Sequence, residues 1–283
     1  MPLVTTGELV ARAHAEGCGV AAFNVITLEH AEAIALGAER AQAPAILQIS
    51  QNAVAFHGGR LGPIAAATAA VARASSAPLA LHLDHVTDPE LLRAAHPEGF
   101  SSVMVDASKL PYAENVKATA DAVRWGHERG LWIEAELGEV GGKSGEPPLD
   151  AHAPGARTDP AEAAAYVADT GVDALAVAVG SSHAMTTRTA SLDHDLIHAL
   201  RAAVPVPLVL HGSSGVPDTD LRTAVAGGVV KVNVGTALNS AYTSAVRTAL
   251  AEAPGVDPRP YLTRARQAMT TTVTHYLSLL GPC

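Results

Sequence analysis

Short apolar runs return eight times along this chain, separated by helix-like segments, and that alternation restricts the possible folds more than any other feature. The runs are Val20–Val25, Ala45–Ser50, Leu79–Leu83, Ser102–Asp106, Leu131–Glu136, Ala174–Val179, Leu208–His211 and Val229–Val234. Near-continuous apolarity predicts strands buried on both faces, as in parallel sheets. Helices are predicted over Leu28–Ala43 after Thr27, Ile64–Ala74, Pro89–Ala95 behind Thr87 or Asp88, Glu114–Arg129, Pro160–Asp169 behind Asp159, Leu196–Ala203 and Thr219–Ala226. Gly130, Gly171 and Gly227 follow three of the ends, where helices commonly stop. Two further helices, Leu238–Ala251 and Tyr261–Leu280, close the chain. Eight alternations within about 240 residues predict a (β/α)8 TIM barrel with additional C-terminal helices, not an open doubly wound sheet. The expectation is one domain over residues 1–283.

In a (β/α)8 barrel the chemistry sits where strands end at the C-terminal face. The predicted strands end in Asn24, Ser50, Asp84 with His85, Asp106, Glu136, the run Ser181–Ser182–His183, His211 and Asn233. One rim therefore collects three histidines and three carboxylates, and three imidazoles are enough for a catalytic zinc with an open position. His82 is set apart by strand alternation, which puts it on one face with Asp84 and places Leu83 and His85 on the other. It is read as a histidine that orients Asp84, not as a ligand.

Glycine-rich turns supply a second element. HGSSG at 211–215 and GGVVKVNVGT at 227–236 follow or end strands seven and eight, where this fold commonly holds phosphate on backbone N–H groups. Zinc beside a phosphate cradle suggests a small phosphorylated substrate with an oxygen for the metal to polarise. The 28 acidic residues outweigh 19 basic ones, giving a net charge of −9 with no basic run, which argues against a nucleic-acid partner. No run reaches membrane-spanning length, and the first residues form a polar amphipathic segment without a signal-peptide core. No membrane partner and a cytoplasmic location are expected. Cys18 and Cys283 are too few for a disulfide framework or a cysteine metal site.

AFNV (22–25), LHLDH (81–85), SVMVDAS (102–108), EAELGEVGG (134–142), the stretch from Thr158 to His183, PLVLHGSSG (207–215), KVNVGT (231–236) and DPR (257–259) closely resemble the class II ketose-bisphosphate aldolases, the fructose- and tagatose-bisphosphate aldolases. The resemblance implies zinc held by His85, His183 and His211, with Glu136 and Asp106 close to an alternative metal position. It implies Asp84 as acid/base at the C4 hydroxyl, and Asn24 and Ser50 lining the substrate pocket. Gly212, Ser214, Asn233 and Thr236 are implied around the dihydroxyacetone-phosphate end, and Arg259 at the distal phosphate of a neighbouring subunit. The substrates so implied are a small phosphorylated sugar, or dihydroxyacetone phosphate plus an aldehyde. The oligomer implied is a homodimer or homotetramer, and a monovalent cation assisting phosphate binding is a family expectation.

Two departures bear on substrate. The family's mobile loop after GG carries an acidic pair whose glutamate moves the proton at the dihydroxyacetone carbon, whereas this chain reads GGKSGEPPLD. Glu146 lies two positions on and is the candidate replacement, the alternative being that this proton is handled differently. In SSHAMTTRT (181–189), Ala184 replaces the family's glycine and Arg188 adds a cation, and both are expected to face the substrate. The expectation is a zinc aldolase whose substrate departs from glycolytic fructose bisphosphate. Two alternatives are a barrel that binds a sugar phosphate without turnover and a metallohydrolase. The second usually needs an HxH pair on one strand face, an offset that HLDH lacks.

Overall fold

A computed structural model describes residues 3–138, 140, 157–252 and 255–281. In chain order the elements are α1 (Thr6–Glu16), β1 (Val20–Asn24), α2 (Leu28–Ala41), β2 (Ala45–Ser50), α3 (Gln51–Phe56), α4 (Leu61–Ala74), β3 (Leu79–Val86), α5 (Pro89–Ala95), β4 (Ser102–Val105), α6 (Tyr112–His127), β5 (Trp132–Leu137), α7 (Pro160–Thr170), β6 (Ala174–Val177), α8 (His194–Ala203), β7 (Leu208–Leu210), α9 (Asp218–Ala226), β8 (Val229–Val234), α10 (Thr236–Glu252) and α11 (Pro258–Leu280). The eight strands pair in parallel and in sequence, and β8 closes on β1. This is the (β/α)8 barrel with extra C-terminal helices that the alternation predicts.

Local chemistry explains the punctuation. Thr5 and Glu8 form a reciprocal capping box at α1, and Asp159 accepts hydrogen bonds from the backbone N–H groups of Ala161 and Glu162 at α7, just ahead of Pro160. Gly171 ends α7 in the left-handed conformation at φ +70°. The main core lies between strands and helices, where Phe23, Leu47, Leu83, Ile133 and Val177 are fully buried. A second cluster lies inside the barrel: Leu9, Val10 and Ala13 of α1 meet Val20, Ala22, Ile46, Ala80 and Val230, so α1 plugs the N-terminal end. Above that plug the interior turns polar, with Gln48, His82, Glu134 and Lys231 all buried. The apolar reading of the strands did not anticipate this layer. On the outside, α11 packs against α2 and α10. Close packing there needs Gly37, since a Cβ at that position would lie 2.5 Å from Val273 Cγ1.

Among the described residues, no helix is long and apolar enough to cross a membrane.

Candidate active site

Three imidazoles meet at the C-terminal mouth. The rings of His85 and His183 have centroids 5.2 Å apart, His85 and His211 4.9 Å, and His183 and His211 5.7 Å. One nitrogen from each lies within 4.8 Å of the others. His85 comes from the end of β3, His183 from the loop after β6, and His211 directly follows β7.

Strand alternation alone would turn His85 outward with Leu83. The backbone overrides it: the register between β3 and β4 shifts between Leu83 and Val86, and His85 has φ +51°. A bulge of this kind re-aims a side chain, and a left-handed non-glycine residue stores strain. The ring thereby turns toward the mouth.

His85 and His211 have carboxylate partners. His85 Nδ1 lies 2.8 Å from Asp106 Oδ2, and His211 Nδ1 lies 3.0 Å from Glu136 Oε2. The other ring nitrogen of His211, Nε2, lies 3.0 Å from Glu134 Oε1. Burial works against charge on His211, but the hydrogen bonds to Glu134 and Glu136 outweigh it and push its pKa up to about 9. Burial likewise tends to raise the Asp84 carboxyl, yet His85, His82, His211 and Lys231 together hold it below the usual range. Asp84 is therefore a buried, ionised carboxylate at the pocket wall.

His82 departs from its expected role. Its Nδ1 pairs with Ser102 Oγ at 2.7 Å, while Nε2 stays 3.8 Å from Asp84 Oδ1, beyond hydrogen-bond reach. Gln48 is the residue whose amide reaches Asp84, at 3.4 Å, and it also donates to Asn24 Oδ1 at 2.8 Å. Burial, and then the Lys231 charge, hold His82 neutral with a pKa of about 3.

The mouth opens into a cavity of about 1390 Å³ that includes Asp84, His85, Asp106 and His183 in its walls. Asn24, Ser50, Gly212, Ser214, Asn233 and Thr236 line it too. Gly212 is left-handed at φ +66°, and a Cβ there would lie 2.6 Å from the carbonyl carbon and oxygen of Ser182. A single 3-10 turn, Ser213–Gly215, follows it. Ser214 Oγ accepts from Ala237 N–H at 3.1 Å, tying this turn to the first residues of α10. The turns after β7 and β8 thus converge on a helix N-terminus, where backbone N–H groups and the helix dipole favour an anion.

Other expected residues lie elsewhere. Arg259 is highly exposed, pairs with Asp257 and does not line this cavity. Arg188, expected to face the substrate, does not line the cavity: its Nε and an Nη donate to Val216 O at 2.9 and 2.7 Å, it pairs with Asp218, and it lies over the Tyr276 ring. Ala184 does line the cavity and is left-handed at φ +59°. Glu146 lies outside the described residues. Glu134, Lys231 and Gln48 went unnoticed in the sequence, although polar pairs two apart (Gln48/Ser50, His82/Asp84, Glu134/Glu136, Lys231/Asn233) mark the inward face of a strand.

The family described as fructose-bisphosphate aldolase class-II matches residues 4–282. The crystal structure of the YdjI aldolase from Escherichia coli K12 is 30% identical, with a TM-score of 0.85 over 99% of this chain and 97% of that one. A Coccidioides immitis protein, provisionally assigned as a fructose-1,6-bisphosphate aldolase, is also 30% identical, with a TM-score of 0.85 over 97% of this chain and 95% of that one. Fructose-bisphosphate aldolase from Campylobacter jejuni shares the fold at 23% identity, with a TM-score of 0.82 over 99% and 95% of the two chains.

Proposed function

Since this chain belongs to the class-II fructose-bisphosphate aldolase family and is an aldolase, a lyase that makes or breaks a carbon–carbon bond, we propose that it is zinc-dependent and works at the three-histidine mouth. The observation that carries the reading is the convergence of His85, His183 and His211 on one point beside an anion cradle. The donor set fits zinc, which takes three imidazoles and leaves a position for substrate. Nitrogens sharing one zinc stand about 3.4 Å apart in tetrahedral geometry, so a spacing within 4.8 Å needs only small side-chain rotations. Asp106, against Nδ1 of His85, fits the carboxylate that orients a metal-binding histidine. When bound, the metal polarises the ketone oxygen of a ketose phosphate as a Lewis acid.

The protein's own groups account for the rest. Asp84 moves the proton at the C4 oxygen as the carbon–carbon bond breaks or forms, a task suited to a positioned, ionised carboxylate. Gly212, Ser214 and Thr236, around the N-terminus of α10, hold the dihydroxyacetone-phosphate end, and Asn24 and Ser50 line the sugar. Fixing the phosphate holds both fragments in attack geometry. Glu146 is the candidate for the proton at the dihydroxyacetone carbon, and Arg259 reaches a neighbour's distal phosphate in a homodimer or homotetramer. Ala184 narrows the pocket, which supports a sugar phosphate other than glycolytic fructose bisphosphate.

The test is cleavage of fructose- and tagatose-bisphosphate, with release of tritium from labelled dihydroxyacetone phosphate, by metal-stripped and zinc-restored protein. Zinc-dependent release is expected. Full activity after stripping overturns the zinc reading, and rapid turnover of either bisphosphate removes the case for another substrate. A Glu146→Gln variant that still releases tritium at the parental rate takes that residue out of the proton transfer.

A further inference from the structure

One layer below the mouth lies a charge pair with no part in the chemistry so far. Glu134 on β5 and Lys231 on β8 are completely buried, and Lys231 Nζ lies 2.8 Å from Glu134 Oε2. Taking both charges out of water is costly, so such a pair is weak evidence for stability in its own right. Each member also reaches one residue of the mouth. Glu134 Oε1 is 3.0 Å from His211 Nε2, and Lys231 Nζ donates to Asn233 Oδ1 at 2.7 Å.

The chemistry of the two groups dictates what those contacts mean. A carboxylate only accepts hydrogen bonds, so the His211 nitrogen that faces Glu134 carries a proton. Nδ1 faces the Glu136 carboxylate in the same way, so the metal-free ring holds both protons, and the one given up to a metal is that on Nδ1, because Lys231 fixes Glu134 beneath Nε2. Glu136 lies two residues further along β5 than Glu134, about 6.6 Å nearer the mouth. An ammonium only donates, so the Asn233 amide must turn its oxygen to Lys231. Its nitrogen is left over: Nδ2 is buried without a hydrogen-bond partner among the described residues, on a side chain that lines the cavity.

We propose that Glu134 and Lys231 act together as positioning residues, fixing His211 in the tautomer that offers Nδ1 to the metal and Asn233 in the orientation that offers Nδ2–H to a substrate oxygen. One buried pair sets both the metal-facing and the substrate-facing donor. The inference rests on the reading of His211 as a zinc ligand and Asn233 as a substrate contact.

The experiment uses the full chain and the Glu134→Gln/Lys231→Met double variant, which removes both charges at similar volume and leaves no buried ion unpaired. Glutamine can donate as well as accept, and methionine cannot donate, so neither orientation is imposed any longer. Zinc affinity, read by competition with a chromophoric chelator, is expected to fall about 10–100-fold. The kcat is expected to fall at least about tenfold with KM within about threefold, the pattern of an interaction made chiefly in the transition state. Nitrogen-15 NMR of the histidine rings in the unmodified zinc-loaded protein is expected to show His211 protonated at Nε2, a readout that needs no variant to fold. His211 protonated at Nδ1, or a folded double variant with parental zinc affinity and kcat, overturns the proposal. A parent protein that binds no zinc through His211 overturns the reading beneath it, and the proposal with it.

Discussion

Gly17 and Gly212 share a backbone conformation and differ in what surrounds them, so the same substitution at both separates conformational strain from steric displacement. Gly17 has φ +68° with nothing within 4 Å of where a methyl would stand, whereas Gly212 has φ +66° with Ser182 backbone atoms at 2.6 Å. Alanine at either position costs about 1–2 kcal/mol for the left-handed conformation. At Gly212 the Ser182 peptide must also retreat by about half an ångström in a close-packed wall, which adds roughly 1–3 kcal/mol. Ser182 adjoins His183, so the displacement passes to a proposed zinc ligand, and metal affinity is expected to fall about 10–100-fold. Gly17→Ala should keep the parental zinc affinity and cleavage rate. The assay pairs urea unfolding of both variants with zinc titration. Equal stability losses, or parental zinc affinity in Gly212→Ala, would refute the claim that this glycine spaces the loop of the proposed ligand His183.

Asp84→Asn is expected to lower kcat about 10²–10⁴-fold while zinc stoichiometry, measured by atomic absorption, stays at the parental value; a variant retaining most of its activity removes Asp84 from the proton transfer. His82 gives a pH effect whose sign follows from its lowered pKa, about 3 against the ordinary 6.5. Below pH 6.5 the unfolded chain binds a proton that the folded chain refuses, so stability is complete above that pH and is lost as pH falls toward 3, about 5 kcal/mol in all. Between pH 6.5 and 5 the parent should lose about 2 kcal/mol more than His82→Gln in urea unfolding, and parallel losses would show that the folded chain protonates His82 as readily as the unfolded one. Ala184→Gly relieves left-handed strain of about 1–2 kcal/mol against a backbone-entropy cost of about 0.5–1 kcal/mol, so a net gain is expected, and a loss above about 1 kcal/mol in the same assay contradicts it.

Much of the barrel was legible because its strands are buried on both faces and its helices carry caps, signals that depend on neighbouring residues alone. Boundaries moved by a few residues: α6 begins at Tyr112, not Glu114, and β3 continues to Val86. The six-residue α3 was missed, being too short to show a helical period. The metal candidates were readable because strand ends are fixed points of this fold. What brings His85 to them was not, since its positive φ depends on a register shift between strands. Arg188 was misplaced for a related reason, because its partners Val216 and Asp218 lie in a different loop. Glu134 and Lys231 escaped notice inside runs that average as apolar, although pairing by twos would have set them on the inner face.

The helical plug formed by Leu9, Val10 and Ala13 has a consequence for traffic through the enzyme. With the far end stoppered, substrate and solvent share the opposite doorway. Whatever shuts that doorway also dries the reaction chamber, so loops at the rim can govern both admission of substrate and exclusion of water.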